Sequence, residues 1–201
     1  TKACPIISGG VQSAPVGGRS DSPGSLTGWG QAYGRFEVRA KLPYGPGSWP
    51  AHWLMPVTSP VGWPMDGEID VMELVFHDPW KALGTMHGAD PVAKKQISTG
   101  YAWESKPPYY ANQRTYYDDF HVYASEWDPW EVRFYVDKWL IGTTKEGTQV
   151  KAGDGSMWPM NVPDAPFHWI LNSTIAPFVG YPANVRPDPA TFAPRARSRM
   201  P

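Results

Sequence analysis

Short alternating apolar and polar runs, cut apart by proline and glycine, most constrain what this chain can fold into. Segments 34–42, 68–76, 120–127, 131–136 and 167–172 follow the two-residue period of half-buried strands, and 23 Pro and 20 Gly punctuate the 201 residues. No window carries a helical stripe. Asp128-Pro129-Trp130 interrupts two of these runs and predicts a hairpin that sets 120–127 antiparallel to 131–136. Many short antiparallel strands in a chain of this length predict an all-β sandwich or barrel. At 201 residues the chain can bury one sizeable core but is short for two, so 1–201 reads as a single domain. The ends, 1–30 and 182–201, are loop-like in composition, and no internal repeat is visible.

Chemistry concentrates in one of these runs. Gly67-Glu68-Ile69-Asp70-Val71-Met72-Glu73 sets three carboxylates among β-prone apolar residues. In a regular strand Glu68 and Asp70 share a face while Glu73 points to the other. One β-bulge at Val71 or Met72 returns Glu73 to the first face. Two carboxylates across a sugar ring are what glycoside hydrolysis requires, and neighbours on one bulged strand come to about 5–5.5 Å, the separation of retaining enzymes. Acid clusters in strands also serve as solvated faces or calcium ligands, and the triplet alone does not choose among these.

Charge narrows the partners. With 18 basic and 19 acidic residues the net charge is −1, so no strong field exists to attract nucleic acid or an anionic membrane. The 11 Trp offer flat apolar faces that suit pyranose rings, although many belong in a core. The lone cysteine, Cys4, cannot form an intrachain disulfide. No run approaches a membrane span, and the N-terminus lacks the layout of a signal peptide, as a mature secreted enzyme also would. A monomer is expected.

Around the acids the chain resembles glycoside hydrolase family 16, and in particular its laminarinase-like (endo-1,3-β-glucanase) branch. The likeness runs over residues 30–180, through Tyr33-Gly34-Arg35-Phe36-Glu37-Val38, Gly47-Ser48-Trp49-Pro50-Ala51-His52-Trp53-Leu54, Trp63-Pro64-Met65-Asp66-Gly67, Gly84-Thr85-Met86-His87-Gly88, Asp119-Phe120-His121 and Phe167-His168-Trp169-Ile170-Leu171-Asn172. Glu-Ile-Asp-Val-Met-Glu matches the family's bulged signature, whereas lichenases and xyloglucan transglycosylases use a spacing one residue shorter. The resemblance implies an antiparallel β-jelly roll with a concave cleft. It implies a retaining endo-glycosidase with Glu68 as nucleophile, Glu73 as general acid/base, and Asp70 between them sharing a proton or serving only as a hydrogen-bond anchor. Trp49, Trp53 and Trp63 fall where the family borders its cleft, Trp53 being the one most readily placed in a core. His87, Arg35 and Asn172 are candidates to bind sugar hydroxyls or the acids, and the glycosylation pattern at Asn172-Ser173-Thr174 is read as accidental because a glycan there would fill the cleft. The implied substrate is a neutral polysaccharide, 1,3-β-glucan foremost, met outside the cell. Agarase- or carrageenase-type galactan hydrolysis, transglycosylation and non-catalytic β-glucan binding are the alternatives. No cofactor is implied, and the structural calcium of some relatives is not assumed. Fewer strands precede Tyr33 and follow Asn172 than the family usually carries, so terminal strands are expected to be lacking.

Overall fold

Asp128 shows how local chemistry starts this fold. Its Oδ1 accepts from the backbone N–H groups of Trp130 (2.9 Å) and Glu131 (3.1 Å), while its own N–H donates to the Glu131 carbonyl at 3.1 Å. Pro129 fixes φ between them. The turn sets Tyr123 opposite Val136 and Trp127 opposite Val132, the hairpin that the sequence predicts.

The protein is described by a computed structural model covering residues 9–14, 28–45, 47–76, 78–90, 92, 94–104 and 115–175. Cys4 and the tail 182–201 lie outside these residues. The strands in chain order are β1 (Gly9–Gln12), β2 (Gly34–Ala40), β3 (Ser48–Pro56), β4 (Glu68–Glu73), β5 (Lys81–Ala89), β6 (Gln96–Glu104), β7 (His121–Trp127), β8 (Glu131–Val136), β9 (Trp139–Lys145), β10 (Gln149–Lys151), β11 (Met157–Pro159) and β12 (Phe167–Ile175). A six-stranded sheet in the order β1-β12-β3-β4-β5-β6 faces a four-stranded sheet in the order β2-β7-β8-β9, and β10 pairs with β11. All pairings among the described residues are antiparallel.

The core fills the space between the two sheets. Leu54, Ile69, Met72 and Met86 project from the larger sheet and meet Phe36, Tyr123, Trp127, Val132 and Phe134 from the smaller, all essentially without exposure. Each such side chain contributes roughly 1.5–3 kcal/mol of apolar burial. Close approach of the sheets depends on Gly84, where a Cβ would stand 2.7–2.9 Å from the Phe134 side chain. With one face of the six-stranded sheet committed to this core, its other face is left free for a cleft.

Differences from the expected strands have local causes. The run from Glu68 ends at Glu73 as regular strand, yet Leu74 and Phe76 still donate to the Pro50 and Ser48 carbonyls, so contact with β3 continues without ladder geometry. Part of the expected N-terminal loop is strand: Gly9–Gln12 pairs with β12, and Gly10 lies so close to Asn172 that an added Cβ would sit 3.2 Å from the Asn172 Cβ. Those glycines mimic a loop in composition while permitting the tight approach.

Candidate active site

The bulge lies where the acid triplet requires it. On β4, Asp70 stands opposite Trp53 of β3 and Thr85 of β5, and Glu73 stands opposite Ala51 and Leu83. Between these paired positions β4 has Val71 and Met72, whereas each neighbour has a single residue, His52 or Gly84. One extra residue thus resets the alternation. Val71 and Met72 both turn into the core, and Glu73 returns to the face that carries Glu68 and Asp70. Gly67, at φ +83, makes the turn into the strand, a conformation that L side chains rarely adopt.

On that face Glu68, Asp70 and Glu73 line a cavity of about 400 Å³ with Trp49, Ala51, Trp53, Asn172 and Thr174. Each glutamate receives an indole N–H: Trp49 Nε1 donates to Glu73 Oε1 at 3.1 Å, and Trp63 Nε1 donates to Glu68 Oε2 at 2.5 Å. Trp63 comes from the β3–β4 loop and stays half exposed (51%). That loop is pinned by Asp66, whose Oδ2 accepts from Ser59 Oγ (2.6 Å) and from the N–H groups of Val61 (3.1 Å) and Gly62 (2.6 Å). Trp53 faces the cleft rather than the core, and its Nε1 donates to Asn172 Oδ1 at 2.6 Å. The other end of Asn172 donates to Thr174 Oγ1 at 3.0 Å, which occupies the amide inside the cavity. His87, directly opposite Glu68, places Nε2 3.0 Å from Asp70 Oδ2.

Arg35 is not part of this group. Its neighbour Phe36 fills the core, so Arg35 projects from the outer face of the four-stranded sheet. Its guanidinium binds Glu37 (2.6 Å) and Glu126 (3.0 Å) and lies over the Tyr135 ring. The expected sugar contact from Arg35 is therefore corrected to an ion-pair network remote from the acids. A larger cleft of about 760 Å³ at one end of the sandwich, bordered by Trp130, Asp66 and Asn161, contains none of the three acids. Two polar residues absent from the sequence reading, Gln96 and Ser98 of β6, do reach the site through His87.

Burial dominates the electrostatics. Glu68 is pushed up to about 7, first by desolvation and then by the Asp70 charge and its hydrogen bond with Asp70, against smaller opposing effects of His87 and Trp63. Desolvation and the Glu73 charge raise Asp70 well above the usual carboxylate range. Glu73 is raised mainly by desolvation, with His87 and the Trp49 N–H pulling the other way. Three acids in one small cavity cannot all ionise cheaply, so at neutral pH the group retains a proton.

A stability prediction follows from the sign of the Glu68 shift. The native chain keeps that proton up to about pH 7, while the unfolded chain releases it near 4.5. Between these values the folded state binds more protons, so stability falls as pH rises through the window. Glu68→Gln removes the penalty. Thermal or urea unfolding should find the variant on the order of 2 kcal/mol more stable than the parent at pH 8, with no advantage below pH 4. Equal stability at both pH values would show that the site does not strain the carboxylate.

A bulged strand carrying paired glutamates under indole donors, on the free face of a β-sandwich, can now be set beside known proteins. Residues 16–167 match the family described as Glycosyl hydrolases family 16. The chain is 36% identical over 194 residues to a beta-glucanase of Rhodothermus marinus, covering 90% of this chain and 64% of that protein. It is also 36% identical over 155 residues to a beta-1,3-glucan-binding protein of Penaeus monodon, covering 73% of this chain and 39% of that protein. Among solved structures, the laminarinase from Rhodothermus marinus superposes with a TM-score of 0.63 at 35% identity, over 82% of this chain and 62% of that one. The chain thus spans less than two thirds of these relatives' lengths. The likeness extends over both sheets of the antiparallel jelly-roll sandwich, and this chain belongs to glycosyl hydrolase family 16.

Proposed function

We propose that this chain is a retaining endo-glycosidase that cleaves 1,3-β-glucan by double displacement. The observation that carries the proposal is the bulge, which brings Glu68 and Glu73 into one tryptophan-lined cavity. Glu68 attacks the anomeric carbon while Glu73 donates its proton to the departing glycosidic oxygen, forming a glycosyl ester on Glu68. Glu73, now ionised, takes a proton from water, whose oxygen attacks the same carbon and releases Glu68. Asp70 shares the proton that Glu68 gives up before attack, because the two are hydrogen-bonded and cannot both carry charge at low cost. Trp63 and Trp49 hold the glutamates and present ring faces to the sugar. No cofactor takes part in these steps, and the enzyme acts as a secreted monomer, since polymeric glucan lies outside cells. Among the described residues no helix is long and apolar enough to cross a membrane.

Pure glucan binding, the role named for the Penaeus monodon relative, needs aromatic platforms but no paired glutamates. Sulfated galactan calls for a basic cleft, and among the described residues those lining this cavity include no Lys or Arg. Reducing-sugar release from laminarin, mixed-linkage glucan, agarose and carrageenan, measured in parallel, tests the reading. Laminarin should be cleaved fastest, and activity confined to a galactan would overturn the substrate while sparing the mechanism. Trp63→Ala should raise the Michaelis constant for laminarin and lower turnover together, by roughly 10- to 100-fold in kcat/KM, with little change in melting temperature. A drop in melting temperature with unchanged kinetics would make Trp63 a purely structural residue.

A further inference from the structure

Asp70 is only 3% exposed, yet its Oδ2 has no hydrogen-bond partner. A buried carboxylate oxygen left unpaired is costly, so it marks a place where a further group fits. His87 Nε2 lies 3.0 Å from it without hydrogen-bond geometry. Glu68, paired with His87 across the β4–β5 ladder, completes a trio: a ring nitrogen of His87 and one carboxylate oxygen each from Glu68 and Asp70 lie within 4.8 Å of one another. Among the described residues no other three such donors converge in this way. Two ligands bound to one zinc ion at about 2.0–2.2 Å, with about 90–110° between them, stand roughly 2.9–3.5 Å apart, so the gap between Nε2 and Oδ2 matches an edge of a coordination polyhedron. The far side of the ring is suited to the same task. Ser98 Oγ lies 2.6 Å from Nδ1 and can accept the Nδ1 proton of an imidazole whose Nε2 holds a metal. An imidazole beside two carboxylates is a donor set for zinc, whereas calcium and magnesium take oxygen ligands.

We propose that Glu68, Asp70 and His87 form a binding site for a zinc ion, with a Glu68 carboxylate oxygen, Asp70 Oδ2 and His87 Nε2 as ligands and water in the fourth position. The ion supplies the partner that Asp70 Oδ2 lacks, and Glu73 lies outside the trio. Zinc takes no part in the reaction. It occupies the carboxylate of Glu68 that attacks the sugar, so its effect on the enzyme, a consequence that rests on the glycosidase reading, is reversible inhibition.

The test is calorimetric titration of the full chain with ZnCl2. One ion per chain should bind saturably, and CaCl2 and MgCl2 should give no such binding. His87→Gln and Asp70→Asn should each weaken zinc binding by at least about 10-fold. Cys4→Ser/His121→Gln, which removes the lone thiol and an imidazole paired with Asp137 on the other sheet, should leave it unchanged. ZnCl2 should also raise the melting temperature of the parent chain, which needs no variant to fold. On laminarin below saturation, ZnCl2 at about ten times its Kd should lower the initial rate about 10-fold, and EDTA should restore it. The proposal is overturned by a parent chain without saturable zinc binding, by binding that both site variants leave intact or that the Cys4→Ser/His121→Gln chain loses, or by zinc-loaded enzyme at full rate. A chain that binds zinc through His87 and Asp70 but cleaves no glucan upholds the site and fails the glycosidase reading alone, because the titration needs no turnover.

Discussion

Glu68→Ala should lose activity on laminarin by roughly 10³-fold or more and recover part of it with azide, yielding the inverted glycosyl azide. The small anion enters the space left by the missing carboxylate and attacks the carbon that Glu68 would have attacked, from the same side. Glu73→Ala should behave differently. With an activated leaving group its ester still forms on Glu68, and azide then displaces that ester to give the retained product. Both side chains lie in one cavity, each under a tryptophan N–H, so raw activity loss would not separate them. Product stereochemistry does. Swapped outcomes would exchange the two roles, and near-normal turnover in both variants would remove the carboxylate mechanism.

Deleting Met72 should abolish activity, whereas Met72→Leu should keep most of it. The deletion removes the extra residue, restores strict alternation and turns Glu73 toward the core. Leucine preserves register and fills nearly the same fully buried volume, at a cost below about 1.5 kcal/mol. Circular dichroism establishes that the deletion variant is folded before its rate is compared. A folded deletion variant as active as the leucine variant would contradict the role given to the bulge.

Much of this site was legible because charge is conspicuous in a strand. Three carboxylates among Ile69, Val71 and Met72 could share a face only with one residue out of phase, and the ladder shows that residue. The hairpin at Asp128 was equally plain, since both its turn chemistry and its flanking alternation are local. Arg35 was misread for a physical reason. Alternation fixed it opposite Phe36, but both sheets turn polar residues outward on their non-core faces, and local pattern does not say which sheet β2 joins. Its partner Glu126 lies 91 positions away. Gln96 and Ser98 were invisible for a related reason: they read as an ordinary polar strand face until register sets Ser98 against His87. The β1 strand hid behind Gly9 and Gly10, which look like loop until β12 pairs with them.

One measurement bears most directly on the claim that a bulge-paired Glu68 and Glu73 cleave β-glucan by double displacement. Proton NMR of fresh laminarin hydrolysate, followed from the first minutes, reads the anomer released before mutarotation. The account predicts that the β-anomer appears first and the α-anomer grows in only later. If the α-anomer appears first, cleavage is a single displacement and the roles given to these two glutamates are wrong.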